Sequence, residues 1–154
     1  MHIIYIDADA CPVKDEVYRV ARRYEVRVLV VSRTFMRTPT DGLIELKEVA
    51  GFGVVDDWIA EQAGLGDIVI TADIPLAARC LTKEARVLDP RGNPFTESDI
   101  GSALAMRELM NDLRQDGTIT GGPAPMSPKD RSRFLSKLDE VINAVKRAHP
   151  VPGK

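Results

Sequence analysis

Short apolar runs that alternate with helix-forming segments constrain the fold of this chain more than any other feature of its sequence. Five runs rich in branched apolar residues are typical of buried strands, at 3–6, 26–31, 67–71, 85–88 and, diluted by charge, 43–49. Apolar residues at helical spacing lie between them, at about 12–24, from 56 and from 74. Strands that alternate with helices predict βαβ units, right-handed crossovers and a mainly parallel sheet. The sequence therefore predicts an α/β fold.

The last third of the chain departs from this alternation and predicts two amphipathic helices. Capping signals and apolar stripes place them at about 96–115 and 127–148. A length of 154 residues fits one domain, since domains usually hold about 100–200 residues. We expect a single domain over 1–148 and a disordered tail over 149–154.

Composition excludes few functions but favours a cytoplasmic protein. The first six residues lack a basic start and a signal-peptide core, and no apolar run approaches the roughly 18–20 residues that span a bilayer. We therefore expect no membrane partner. A net charge of −2 shows no global basic field, which weakens a nucleic-acid partner without excluding one. Cys11 and Cys80 are interpreted as reduced thiols, and the oligomeric state stays open.

Acidic and hydroxyl side chains follow the predicted strands where each strand ends. They are Asp7 and Asp9 after the first strand, Ser32 after the second, Asp73 after the fourth and Asp89 after the last. In open parallel sheets, ligands bind outside the carboxyl ends of the strands. Asp56 and Asp57 can join this edge from a helix N-terminus. The sequence thus predicts a functional site built from aspartates.

Electrostatics makes this cluster a candidate metal site. Two carboxylates about 4 Å apart repel by about 4 kcal/mol at an effective dielectric near 20. Several together either raise their pKa values or bind a cation. All-oxygen ligands favour Mg²⁺ or Mn²⁺. Four residues on the same edge are candidates for phosphate or substrate contacts, namely Lys14, Ser32, Thr71 and Arg91.

Ordinary structural roles compete with these assignments. Asp73 fits the N-cap of the helix that follows it, and Asp89 before a proline fits a turn. Asp15 and Asp67 are expected to be solvated. Cys11 is better explained as a small packing residue than as a nucleophile, and Lys14 can equally be a solvated side chain.

Several motifs resemble one bacterial protein family along almost the whole chain. They are Asp-Ala-Asp-Ala-Cys-Pro at 7–12, Gly-Asp-Ile-Val-Ile-Thr-Ala-Asp-Ile-Pro-Leu-Ala at 66–77, Pro-Arg-Gly at 90–92 and Thr-Gly-Gly-Pro at 120–123. The sequence is identified as a member of the uncharacterised YaiI/YqxD family, which in turn resembles the PIN-like nucleases. The resemblance implies a three-layer α/β sandwich. It also implies a metal set of Asp7, Asp9, Asp56 and Asp73, with Asp7, Asp9 and Asp73 as catalytic acids.

Three functions stay open, and one departure from the family pattern bears on the choice between the first two. The family commonly reads Gly-Phe-Asp-x-Ala-Asp before the middle helix, whereas this chain has Gly53 in place of the first acid; Asp57 is a candidate replacement. The first hypothesis is a metal-dependent nuclease or phosphodiesterase acting on RNA or another nucleic acid, with single strands favoured. The second is a non-catalytic nucleic-acid-binding or scaffold module. The third, a phosphomonoesterase, rests on a faint likeness of residues 6–11 to the Asp-x-Asp-x-Thr/Val start of dehalogenase-like phosphatases.

Overall fold

A five-stranded, all-parallel sheet forms the centre of the computed structural model, which describes residues 2–39, 42–51, 53–96 and 126–149. The strands are β1 (Ile3–Asp7), β2 (Arg27–Ser32), β3 (Ile44–Glu48), β4 (Ile68–Ile70) and β5 (Arg86–Leu88). The helices are α1 (Lys14–Tyr24), α2 (Val54–Gln62), α3 (Ile74–Thr82) and α4 (Pro128–Ala148), with a 3-10 turn at Ala8–Ala10. The order across the sheet is β3-β2-β1-β4-β5. The predicted parallel α/β fold is confirmed.

Helices cover both faces of this sheet and make three layers. Alternate residues of a strand point to opposite faces, and β1 shows this directly. Ile4 and Ile6 lie in the apolar core shared with α1 and α4, whereas Tyr5 lies in a second core shared with α2 and α3. A strand buried on both faces needs a continuous apolar run, which explains the uninterrupted apolar sequences of β1 and β4.

The strand order places a topological switch between β1 and β4. β2 and β3 extend the sheet to one side of β1, and β4 and β5 extend it to the other. Connections on the two sides leave in opposite directions, which opens a crevice at the carboxyl ends of the two central strands. Asp7 ends β1 and Thr71 follows β4, so both residues border this crevice.

The uncertain third strand is present and forms an edge of the sheet. β3 pairs with β2 in parallel, and Glu45, Lys47 and Glu48 on it are exposed. Charged side chains on an edge strand discourage pairing with another chain. The charges that weakened the prediction are thus explained by the edge position.

Helix α1 begins at Lys14, two residues later than the sequence predicted. Cys11 is extended, with φ −104° and ψ 110°, because a residue before proline is driven out of the helical region. Val13 then serves as the N-cap with a non-helical backbone. Pro12 therefore lies in the turn that enters the helix.

The second predicted C-terminal helix is present as α4. Ser127 and Asp130 form a reciprocal capping box at its start, and Phe134, Leu138, Ile142 and Val145 form its buried stripe. Residues 97–115 of the first predicted C-terminal helix, and residues 150–154 of the predicted tail, lie outside the described residues. In the part of the chain that is described, no helix is both long enough and apolar enough to cross a membrane.

The expectation that Asp67 is solvated is wrong. Its side chain is buried and accepts hydrogen bonds from the backbone N–H of Ile3 at 3.1 Å and of Gly64 at 3.0 Å. The carboxylate thus joins the start of β1 to the turn before β4, at the amino edge of the sheet. Asp15, by contrast, is exposed as expected.

Candidate active site

One threonine hydroxyl joins the acid that ends β1 to the acid that caps α3. Thr71 Oγ1 donates a hydrogen bond of 2.8 Å to Asp7 Oδ2 and accepts one of 3.0 Å from the backbone N–H of Asp73. Asp73 Oδ1 accepts the backbone N–H of Leu76 at 2.8 Å and so caps α3. The N-cap role of Asp73 is therefore confirmed, and it leaves the second carboxylate oxygen of this residue for other contacts.

A second hydroxyl orients the third predicted catalytic acid. Ser32 Oγ donates to Asp9 Oδ1 at 3.0 Å, and the backbone N–H of Arg33 approaches Asp9 Oδ2 at 3.4 Å. Asp9 is exposed, whereas the Ser32 and Thr71 side chains are buried. Ser32 and Thr71 hold carboxylates in place, a role that the sequence did not reveal. Their direct contact with substrate stays a prediction.

The two acids of α2 have different surroundings. Asp56 is half-buried, and this burial and the charges of Asp73 and Asp7 raise the pKa of its carboxyl. Asp57 is exposed and pairs with Arg79 through a 2.8 Å contact. Gly53 is the N-cap of α2 with φ +75°, a left-handed conformation that suits glycine. The structure thus brings Asp56 toward the cluster and engages Asp57 elsewhere.

Burial and crowding of charge raise the pKa values of two carboxyls. For Asp7, desolvation raises the pKa most, and the charges of Asp73 and Asp9 add to it, while the Thr71 hydrogen bond lowers it. For Asp56, desolvation and then the charges of Asp73, Asp7 and Asp57 raise the pKa to about 6. Carboxyls with like charges nearby favour either a proton or a cation.

A cleft of about 370 Å³ opens in front of these acids, lined by Asp7, Cys11, Thr71, Ala72, Asp73, Ile74 and Pro90. Cys11 is buried at its wall, and burial raises the pKa of its thiol. A protonated, buried thiol is a poor nucleophile. This agrees with the interpretation of Cys11 as a packing residue.

The two predicted basic contacts are engaged within the protein. Lys14 Nζ donates to the backbone oxygens of Ala8 at 3.1 Å and Cys11 at 2.7 Å, which ties down the turn after β1. Arg91 Nη1 donates to Asp130 Oδ2 at 2.9 Å and so links the turn after β5 to α4. Their contact with phosphate stays a prediction.

Asp89 is the turn former that the sequence suggested. Its carboxylate accepts the backbone N–H groups of Arg91 and Asn93, both at 2.9 Å. The side-chain amide of Asn93 adds a further hydrogen bond of 3.2 Å. Both oxygens of this carboxylate therefore serve the turn.

The donor set fits a hard cation that keeps part of its water. In the described ranges, no three His, Cys, Asp or Glu side chains form a ready metal cage. Mg²⁺ usually retains several waters and contacts protein through one or two carboxylates. Asp7 Oδ1 and Asp73 Oδ2 accept no hydrogen bond from any residue the structure describes, whereas the partner oxygen of each carboxylate is held. Two oriented carboxylates of this kind would hold Mg²⁺ or Mn²⁺.

Replacing Thr71 by valine tests whether its hydroxyl supports the site. We expect Thr71→Val to weaken Mn²⁺ binding about 10- to 100-fold, the usual effect of losing a partner that orients a ligand. The free energy of unfolding should fall by about 1–2 kcal/mol, because the Asp73 N–H loses its acceptor. Isothermal titration calorimetry and urea unfolding measure the two effects. Thr82→Val, which removes an exposed hydroxyl at the end of α3, is the control, and equal Mn²⁺ affinity of Thr71→Val and wild type would contradict the prediction.

The raised pKa of Asp56 predicts how stability changes with pH in the metal-free protein. Because the folded pKa is about 6 and the ordinary value is 3.8, the folded state binds the proton more tightly. Stability is therefore lost as pH rises from about 4 to 6. Asp56→Asn removes this loss, so its advantage over wild type should grow by about 1 kcal/mol between pH 4 and pH 7, allowing for solvent screening. Urea unfolding at four pH values measures it, and a constant difference would refute it.

Comparison with known proteins gives a consistent family assignment. A family model described as "Uncharacterized BCR, YaiI/YqxD family" matches residues 5–144. A UPF0178 protein of Rhodopseudomonas palustris (strain HaA2) is 55% identical over 97% of this chain and 92% of its own length. A UPF0178 protein of Rhodospirillum centenum is 57% identical over 94% of this chain and 97% of its own length. No solved structure matches the chain.

Proposed function

This chain belongs to the YaiI/YqxD family, and we propose that it is a divalent-metal-dependent phosphodiesterase that cleaves RNA or another nucleic acid in the cytoplasm. One observation carries the proposal. The Thr71 hydroxyl donates to the Asp7 carboxylate and accepts the backbone N–H of Asp73. Both acids therefore lie at the carboxyl ends of the two central strands, where open α/β sheets bind their ligands. The resemblance to PIN-like nucleases supports the same chemistry.

The protein supplies oriented charge to this reaction. We assign Asp7 and Asp73 as ligands of Mg²⁺ or Mn²⁺. Asp56 is the third acid of the site, and Asp9 is the most exposed of the four. When bound, such an ion polarises the phosphate and lowers the pKa of water. Thr71 fixes one oxygen of Asp7, and the N-terminus of α3 fixes one oxygen of Asp73. Carboxylates held in this way need little rearrangement when the ion and the substrate bind.

The cleft leaves room for a phosphate beside the acids. Its apolar wall of Cys11, Ile74 and Pro90 lowers the local dielectric constant, which strengthens any charge interaction inside it. The residues that border the cleft end β1 or follow β1, β4 and β5 in the chain, so they all lie at one edge of the sheet. A rigid sheet edge of this kind holds the reacting groups in fixed positions relative to the bound nucleic acid.

A non-catalytic nucleic-acid-binding module is the second candidate, and Gly53 favours it. The family acid at this position is absent, and the described residues hold no three-acid cage. A protein with weak metal binding would still present the same edge to a ligand. Binding of RNA without metal-dependent cleavage would identify this second function.

Manganese anomalous scattering and a cleavage assay together test the proposal. Crystals soaked in Mn²⁺ should show an ion against Asp7 and Asp73 at about 2.0–2.3 Å, which is absent from Asp7→Asn crystals. End-labelled RNA and DNA strands should be cut in Mn²⁺ or Mg²⁺ but not in EDTA. Manganese at another place, or none at millimolar concentration, would remove the basis for the nuclease. Ordered manganese without cleavage of any strand would favour the binding module.

A further inference from the structure

Phe35 projects into solvent at the carboxyl edge of the sheet. Among the large hydrophobic side chains in the described ranges, Phe35 at 75% and Leu65 at 59% are the exposed ones. Leu65 lies before β4 and therefore at the opposite, amino edge. Single exposed apolar side chains are common on protein surfaces, so the feature that distinguishes Phe35 is its position at the carboxyl edge.

The backbone around Phe35 is anchored on both sides of the ring. The backbone N–H of Thr34 donates to Ser32 Oγ at 3.2 Å, and the same hydroxyl donates to Asp9. Met36 is half-buried and packs against the core under α1 and α4. Phe35 is thus presented by a fixed segment, with its neighbour used for packing.

Two arginines flank the exposed ring. Arg33 and Arg37 are exposed, and neither forms a salt bridge with any acid in the part of the chain that is described. The segment 32–39 itself contains no acidic residue. It is therefore a basic patch with a central aromatic ring on a chain whose net charge is −2.

This patch lies beside the acid cluster. The N–H of Arg33 is 3.4 Å from Asp9 Oδ2, and the charge of Asp9 raises the pKa of Asp7. Two residues of extended chain span at most about 7 Å. Phe35 therefore lies within a short reach of the carboxylates, on the same sheet edge.

We propose that the segment Arg33–Arg37 binds single-stranded nucleic acid next to the acid cluster, with one unpaired base stacked on Phe35 and the backbone phosphates on Arg33 and Arg37. The inference rests on the proposed function, because it supplies the strand that the acids would cleave. Bases stack on an aromatic ring whatever their identity, and flanking cations track the phosphates. A base inside a duplex has both faces covered by its neighbours, so the segment selects single strands.

Binding to a labelled strand in EDTA tests this inference without any metal chemistry. The probe is a fluorescein-labelled 12-nucleotide oligouridine RNA, and fluorescence anisotropy measures its dissociation constant. Phe35→Ala should weaken binding about 5- to 150-fold, the loss expected for one stacked base. Phe35→Tyr should bind like wild type, and Leu65→Ala, which removes the other exposed hydrophobic side chain, should also leave binding unchanged.

Two further measurements distinguish base stacking on Phe35 from nonspecific binding. Combined Arg33→Ala and Arg37→Ala should reduce the slope of log affinity against log salt by about 1.4. A duplex of the same length should bind more weakly than the single strand and be insensitive to Phe35→Ala. An unchanged melting temperature of Phe35→Ala checks that the exposed ring does not contribute to the fold.

The outcomes distinguish this inference from the proposed function. Equal binding of the RNA strand by Phe35→Ala and wild type would overturn the inference. No binding of the RNA strand by wild type would also overturn it, and this is the result expected if the patch contacts another protein instead. Metal-dependent cleavage with unchanged KM in Phe35→Ala would overturn it and leave the phosphodiesterase in place. Phe35-dependent binding without cleavage would support it and reject the phosphodiesterase.

Discussion

Asp7→Asn should lower the rate of metal-dependent cleavage by about a thousandfold, since removing one charged ligand costs the transition state roughly 4 kcal/mol. The substitution preserves the shape of the side chain and an oxygen that can accept the Thr71 hydrogen bond. It removes the charge that attracts a cation, and it replaces the oxygen proposed to face the ion by an amide NH2 group, which cannot bind a cation. Initial rates of strand cleavage under saturating Mn²⁺ measure the effect. Glu61→Gln, on the exposed face of α2, is the matched control and should cleave at the wild-type rate.

The same variant should increase the stability of the metal-free protein. Burial and the charges of Asp73 and Asp9 raise the pKa of Asp7, so its ionised form is unfavourable in the metal-free fold. Asp7→Asn should therefore unfold at a higher urea concentration than wild type at pH 7 in EDTA, and this advantage should shrink when Mn²⁺ stabilises wild type. A variant that loses both activity and stability would indicate that Asp7 is a structural residue rather than a metal ligand.

Asp67→Ala should lower the free energy of unfolding by about 2–4 kcal/mol, because two partly buried backbone N–H groups lose their acceptor. These N–H groups belong to Ile3 and Gly64, which Asp67 holds together at the amino edge. Such a loss is a large part of the 5–15 kcal/mol that is typical of a domain. Urea unfolding at pH 7 measures it.

A control and an activity measurement complete this second test. Asp15→Ala removes an exposed acid from the first turn of α1 and should change stability by about 0.5 kcal/mol or less. The folded fraction of Asp67→Ala should still cleave nucleic acid at the wild-type rate, because Asp67 lies at the amino edge of the sheet, opposite to the acid cluster. A stability equal to wild type would show that water can replace the carboxylate at this place.

The elements that organise the site could be predicted from local patterns. Strand and helix periodicities depend on neighbours a few residues apart, so β1, β4 and α4 were found close to their true bounds. The N-cap role of Asp73 follows from the same local logic. Contacts between distant segments could not be found in this way. The pairing of Asp57 with Arg79 depends on how α2 and α3 pack, and the burial of Asp67 depends on how β1 and β4 align.

The sequence alone determined that this chain forms a parallel α/β sheet with aspartates after its strands, because apolar periodicity and the residue after each strand are local properties. Only the tertiary structure decided which of those acids lie close together at the carboxyl edge of the sheet. Thr71 reaches Asp7, 64 positions away, because β1 and β4 are neighbours in the sheet. That neighbourhood is set by the packing of helices on both faces, which no single stretch of residues encodes.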